Sequence, residues 1–155
     1  MQRDAVTAYV ALGANLGDAA ATLNHAMDAM AQLPGLTVSR RSSLYRSAPV
    51  DSSGPDYINA VVQLRTTHSA PDLLRELQAI ERAAGRERPY RNAPRTLDLD
   101  MLLYGSARVD SPRLTVPHPR MAGRAFVLLP LAEIAPELVD AEALRGCADQ
   151  TIQKI

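Results

Sequence analysis

The chain has 155 residues, of which 46% are apolar and 22% charged, a composition typical of one ordinary globular domain with its own core. Lys plus Arg and Asp plus Glu both number 17, and this zero formal charge argues against a protein that coats polyanions or charged membranes. Because Cys147 is the only cysteine, an intrachain disulfide and the paired-cysteine metal motifs are excluded. We therefore predict a single domain over residues 1–155, cytoplasmic and without a membrane segment.

The first half of the chain predicts a strand, a helix and two further strands. Residues 5–12 alternate between apolar and polar side chains, which predicts the first strand. Asp18 is placed to cap a helix over residues 19–33, which a Pro-Gly pair ends. Residues 36–46 and 57–66 are predicted to be strands joined by a loop rich in Pro and Gly.

The second half predicts a second helix, a fourth strand and a helical C-terminal part. A capping box at Ser69 starts a helix that ends at Gly85, and residues 97–104 follow as a strand. Residues 124–135 have a helical pattern that Pro130 is expected to break. The order β-α-β-β-α-β predicts an α+β, ferredoxin-like antiparallel sheet with helices on one face and a C-terminal helical extension. The opposite sheet face is then available for ligands.

Two carboxylates stand two residues apart on the fourth predicted strand. The side chains of Asp98 and Asp100 should project from the same face of the sheet, with their Cα atoms about 6 to 7 Å apart. Those of Leu97, Leu99 and Met101 should project from the opposite face. This spacing suits Mg²⁺, which typically takes one or two carboxylates together with phosphate oxygens. The alternative reading is a strand whose polar side chains only face solvent.

Basic side chains are concentrated just before the acidic strand. Lys154 is the only lysine, so phosphate groups would have to be bound by arginine guanidinium groups. The stretch before the strand carries Arg82, Arg86, Arg88, Arg91 and Arg95. A magnesium-bound nucleoside triphosphate would reconcile these arginines with the nearby carboxylates, whereas the alternative is an arginine-rich surface loop.

Two further groups of residues could contact such ligands. Arg113, Thr115 and His118 lie in an extended, proline-rich segment and could meet the same phosphates, although a lone histidine can also be a structural hydrogen-bonding residue. Tyr57 precedes Asn59 by two residues, so a flat heterocycle could stack on the ring while the amide pairs with its edge. Ordinary sheet packing is the alternative for that pair.

Five blocks together resemble the 6-hydroxymethyl-7,8-dihydropterin pyrophosphokinase family. They are residues 13–17 (GANLG), 45–49 (YRSAP), 55–60 (PDYINA), 94–100 (PRTLDLD) and 113–121 (RLTVPHPRM), and the resemblance extends over nearly the whole chain. It implies a ferredoxin-like fold and transfer of diphosphate from ATP to the hydroxymethyl group of the pterin, giving AMP, in folate biosynthesis. It also implies two Mg²⁺ ions as cofactor and small-molecule partners only, with no nucleic acid or membrane, for a protein that we expect to be a monomer.

The resemblance also implies roles for individual residues. Asp98 and Asp100 correspond to the metal ligands and, with Arg86 and Arg95, to the catalytic group. The pterin site is implied at Ser47, Ala48, Val50, Tyr57, Asn59 and Phe126. The ATP site is implied at Gln78, Glu81, Arg86, Arg88, Arg95, Met101, Arg113, Thr115, His118 and Arg124.

A second hypothesis is a ferredoxin-like binding module for RNA or a regulatory nucleotide, without catalysis. The same open sheet and arginine cluster motivate it. The chain lacks the aromatic-rich strand motif of RNA-recognition sheets, and its overall neutrality does not favour a broad polyanion-binding surface. The sequence therefore favours the enzyme over the binding module.

Overall fold

The computed structural model describes residues 4–48, 55–85 and 97–155. In these ranges the strands are β1 (Val6–Ala14), β2 (Leu36–Arg41), β3 (Tyr45–Ser47), β4 (Tyr57–Thr66), β5 (Asp98–Tyr104), β6 (Val109–Asp110), β7 (Thr115–Val116) and β8 (Ile152–Lys154). The helices are α1 (Ala19–Ala31), α2 (Ala70–Ala84), α3 (Ala125–Ile134) and α4 (Ala141–Gly146). No helix within these ranges is long and apolar enough to cross a bilayer.

The main sheet is antiparallel, with the strand order β5-β1-β4-β3-β8, and β2 also pairs with β4. Helices α1 and α2 cover one face, as their capping residues and apolar stripes predict. Asp18 accepts a hydrogen bond from the Ala21 amide at 3.1 Å, and Ser69 accepts one from the Asp72 amide at 3.2 Å. The α+β, ferredoxin-like prediction is confirmed.

The predicted strand over residues 36–46 is wrong as one continuous strand, since β2 ends at Arg41 and β3 begins at Tyr45. Side chains interrupt the ladder between them. The Ser42 hydroxyl accepts a hydrogen bond from the Val61 amide at 2.9 Å, and the Ser43 amide donates to the Glu133 carboxylate at 3.0 Å. Both partners are distant in sequence, so strand periodicity could not reveal the break.

The second face of the sheet is open only in part, because α3 packs on it. Tyr9 and Ala11 of β1 point to this face and form a second apolar cluster with Val127 and Leu131 of the helix. Pro130 does not break α3, contrary to the sequence prediction. Proline removes one backbone hydrogen bond, but the buried apolar side chains on both sides of it hold the helix on the sheet.

Glu133 fastens the C-terminal half of α3 to the sheet. Its carboxylate accepts hydrogen bonds from the Tyr45 hydroxyl at 2.7 Å and from the Ser43 hydroxyl at 2.9 Å. Burial alone would raise the pKa of Glu133, but these hydrogen bonds, the Ser43 amide and the Lys154 charge hold it below its usual value. The ionised carboxylate is therefore the form that binds α3 to the sheet.

We expect Glu133→Gln to lower the free energy of unfolding by roughly 1 kcal/mol at pH 7, a modest value because the side chain is exposed. A lowered folded-state pKa means that the stabilisation is complete above the unfolded-state pKa and is lost as the pH falls through the folded-state value. Urea unfolding at pH 7 and pH 3 should show the difference between wild type and variant shrinking. The exposed Glu137→Gln is the control, and an equal difference at both pH values would contradict the pKa argument.

Candidate active site

A cavity of about 970 Å³ opens on the second sheet face, beside the N-terminus of α3. Its floor consists of the ends of three adjacent strands, and its walls come from β3, the segment before α3 and the C-terminal residues. The lining residues are Ala11, Leu12, Gly13, Ser47, Ala48, Tyr57, Asn59, Asp98, Asp100, Pro119, Arg120, Gly123, Arg124, Ala125, Phe126, Gln150, Thr151 and Ile152.

Asp98 and Asp100 both line this cavity. Leu97, just before β5, and Leu99 and Met101 within it are buried in the main core on the opposite face, as strand alternation predicts. Two carboxylates on one strand face offer only oxygen donors, which are the ligands that Mg²⁺ prefers. The donor set therefore fits the metal that the sequence predicts, with the remaining coordination positions left for water and phosphate oxygens.

Three directly paired residues connect the β4 side of the cavity floor to the β5 side. Gly13 of β1 is directly opposite Asn59 on one side and Asp98 on the other. The Asn59 amide donates from Nδ2 to Ser47 Oγ at 2.8 Å, and its Oδ1 would lie 3.4 Å from a Cβ atom at position 13. Because Gly13 has no side chain, the space between the buried amide and the carboxylate stays open.

Both aromatic residues assigned to the pterin site, Tyr57 and Phe126, line the same cavity. Phe126 is the second residue of α3, and the guanidinium carbon of Arg124 lies 5.4 Å from the centre of its ring. This distance is within the range of a cation–π contact, which orients the arginine at the cavity wall. Ser47 and Ala48 lie on the same side, so the structure brings the described part of the predicted pterin site together.

One hydrogen bond holds His118 beside the outer strand β5, and a second, within its own segment, orients its ring. Its amide donates to the Leu102 carbonyl at 2.9 Å, and its Nδ1 accepts from the Arg120 amide at 3.1 Å. Burial lowers the pKa of His118; the Asp100 charge opposes this shift, and the Arg124 and Arg120 charges reinforce it. A neutral ring whose Nδ1 accepts a hydrogen bond carries its proton on Nε2, so the ring presents a donor.

The remaining residues assigned to ATP fall into two groups. Several of the described ones are not part of the cavity lining: Gln78, Glu81, Met101, Arg113, Thr115 and His118. Glu81 accepts a hydrogen bond from the Leu99 amide at 2.8 Å, so it contacts the strand that carries the carboxylates. Arg86, Arg88 and Arg95 lie outside the described residues, as do Val50 of the predicted pterin site and Arg91 of the arginine-rich stretch, and their roles stay predictions.

Sequence reasoning missed the contribution of the C-terminal residues to the cavity. Gln150, Thr151 and Ile152 line it, and β8 pairs with β3 so that Ile152 is opposite Ser47. A three-residue strand is too short for alternation to predict it. Pro119, Arg120, Gly123 and Ala125 were also missed as lining residues, although Pro119 and Arg120 lie within the recognised block 113–121.

Comparisons with known proteins give consistent matches by sequence. The family model for 7,8-dihydro-6-hydroxymethylpterin-pyrophosphokinase (HPPK) matches residues 9–136. The 2-amino-4-hydroxy-6-hydroxymethyldihydropteridine pyrophosphokinase of Synechocystis sp. is 49% identical over 133 residues, which are 86% of this chain and 68% of the relative. The enzyme of the same name from Haemophilus influenzae is 47% identical over 135 residues, 86% of this chain and 84% of the relative.

Solved structures show the same fold at low sequence identity. The crystal structure of a Plasmodium falciparum HPPK-DHPS triple mutant with STZ-DHP matches with a TM-score of 0.69 and 12% identity, covering 92% of this chain and 42% of that chain. This chain thus corresponds to about two fifths of the Plasmodium protein. The match over residues 9–136, together with relatives close to half identical, shows that the chain belongs to the 7,8-dihydro-6-hydroxymethylpterin-pyrophosphokinase family.

Proposed function

We propose that this protein transfers diphosphate from ATP to 6-hydroxymethyl-7,8-dihydropterin, yielding AMP and the pterin diphosphate in folate biosynthesis. The observation that supports this most directly is one cavity lined both by two carboxylates of a single strand and by two aromatic side chains beside a buried amide. The first pair suits a magnesium-bound triphosphate, and the second suits a flat heterocycle.

The pterin half of the site is assigned to Tyr57, Phe126 and Asn59. The two aromatic side chains would stack on the ring, and the amide of Asn59 would pair with its edge. The hydrogen bond from Asn59 to Ser47 supports this role, because it fixes the orientation of the amide before any ligand arrives. Preorganised polar groups lose less free energy on binding than groups that must be ordered by the ligand.

The phosphate half is assigned to Asp98 and Asp100, with two Mg²⁺ ions entering with ATP. Bound Mg²⁺ would neutralise phosphate charge and hold the reacting oxygens in line. The protein's own contribution is positioning, because β5 and its neighbour β1 fix both carboxylates next to the pterin half. His118, through its Nε2 donor, and the predicted ATP-site arginines would contact the remaining phosphate oxygens.

The nature of the nucleotide product tests the reaction. Transfer of a diphosphate breaks the bond between the α- and β-phosphates, so incubation with Mg²⁺-ATP and hydroxymethyl-dihydropterin should release AMP in equal amounts to the pterin diphosphate. Chromatographic separation of the nucleotides measures this. Release of ADP as the sole nucleotide product would identify an ordinary kinase and reject the proposal.

We further propose that the protein acts as a cytoplasmic monomer. Among the described residues, the exposed large apolar side chains are Leu138 and Ile155, which fits a surface without an extended apolar interface. A dimer mass in light scattering at assay concentrations would reject the monomer.

The RNA-binding alternative has less support. α3 covers part of the sheet face that such a module would need for stacking bases, and the paired carboxylates would repel a phosphate backbone in the absence of metal. The pyrophosphokinase is therefore the function that we retain.

A further inference from the structure

The residues after the region that matches the family model reach back to the site. Strand β8 pairs with β3, and just before it the Ala48 amide donates to the Thr151 carbonyl at 3.4 Å. Ser47, the partner of Asn59, is thereby flanked by the C-terminal segment. The segment over residues 150–152 forms a wall of the cavity next to the residues assigned to the pterin.

Gln150 makes two hydrogen bonds to the backbone that precedes and begins α3. Its Oε1 accepts from the Ala125 amide at 3.0 Å, and its Nε2 donates to the Gly123 carbonyl at 2.9 Å. These two backbone groups flank Arg124, the residue whose guanidinium contacts the Phe126 ring. One side-chain amide therefore holds the backbone on both sides of this residue.

Gln150 supplies a cap that α3 lacks locally. The first four amides of a helix have no partner within the helix, and a side chain at the residue before it usually accepts one of them. Arg124 occupies that position and provides no such hydrogen bond. The Ala125 amide, in a residue that is only 2% exposed, is instead satisfied by a residue 25 positions away.

We infer that Gln150 is a positioning residue for the pterin site, fixing the start of α3 so that Phe126 and Arg124 stand at the cavity wall. The inference rests on the proposed function. Gln150 acts through the backbone, so its loss should weaken the pterin half of the site more than the phosphate half, which β5 carries independently. A merely structural role would instead affect both halves alike.

The test compares Gln150→Ala with wild type in steady-state assays of AMP release. We expect the KM for hydroxymethyl-dihydropterin to rise roughly tenfold, since Gln150→Ala removes two hydrogen bonds and tenfold lies in the range for the net loss of one or two. The KM for ATP should rise by less than about threefold, because among the described residues assigned to ATP only Arg124 lies beside the Gln150 hydrogen bonds. Hydrogen exchange at the Ala125 amide should be faster in the variant, which reports directly on the missing cap.

Gln153→Ala is the matched control, since Gln153 is the same residue type on the same C-terminal segment and is exposed. It should keep wild-type values of both KM constants. Gln150→Glu retains an acceptor for the Ala125 amide but no donor for Gly123, so its pterin KM should lie between those of wild type and Gln150→Ala. If Gln150→Ala does not fold, the Gln150→Glu variant alone tests the positioning role, through a rise in the pterin KM without an equal rise in the KM for ATP.

The outcomes separate this inference from the proposed function. Wild type and Gln153→Ala that release AMP, with a selective pterin defect in the Gln150 variants, support both. An active Gln150→Ala enzyme with unchanged pterin KM, or with equal losses for both substrates, overturns the positioning role and leaves the reaction intact. Failure of wild type to release AMP would overturn the reaction itself.

Discussion

Asp100→Asn should reduce kcat for AMP release by roughly 10²- to 10³-fold, with little effect on folding. The substitution preserves the size of the side chain and removes its negative charge, so it weakens the attraction for a divalent cation without filling or emptying space. Asp100 is exposed at the end of the cavity, and we expect the melting temperature to shift by less than about 3 °C.

A titration with MgCl2 tests whether the lower activity of the variant arises from weaker metal binding. If the carboxylate binds the metal, the variant should require more Mg²⁺ for half-maximal activity than wild type does. Asp110→Asn on β6 is a suitable control. That aspartate is also exposed on a strand, but it is not among the described residues that line the cavity. Wild-type turnover of Asp100→Asn at every Mg²⁺ concentration would remove the metal argument.

Phe126→Ala should raise the KM for the pterin by roughly 10- to 100-fold, the effect of losing one stacking partner of a heterocyclic base. The ring is half-buried at the N-terminal end of α3, and it also packs against the second apolar cluster. We therefore expect a moderate loss of stability as well. Phe126→Tyr keeps a ring of similar shape and should retain most of the pterin affinity.

Leu129→Ala separates the two effects of the Phe126 substitution. Leu129 lies on the same helix, is also half-buried, packs with Leu128 and Cys147, and does not line the cavity. This variant should lose stability without a selective change in either KM. If Phe126→Ala and Leu129→Ala gave the same kinetic profile, the stacking role of Phe126 would be untenable.

Local patterns predicted the parts of the fold in which neighbouring residues decide the structure. Asp18 and Ser69 start their helices because a short polar side chain caps the next turn, and β5 places alternate residues on opposite faces. The paired carboxylates could be read from the sequence for the same reason. Their spacing along one strand determines their common orientation.

The structural features that the sequence did not predict depend on contacts between residues that are distant in sequence. The break between β2 and β3 depends on hydrogen bonds that Ser42 accepts from Val61 and that Ser43 donates to Glu133. Helix α3 continues through Pro130 because packing on the sheet outweighs one lost hydrogen bond. No motif predicts the role of Gln150, since its partners Gly123 and Ala125 lie 27 and 25 positions away and meet it only in the folded chain.

The position of α3 limits the shape of the molecules that the site can accept. Along β1 the helix covers Tyr9, while Gly13 at the far end of the strand remains in the cavity floor. The helix therefore closes the cavity at one end of the strand. A bound molecule must lie across the strands instead of along them. A cavity of this shape accommodates two compact reactants side by side and excludes a long polymer that would lie along the strands.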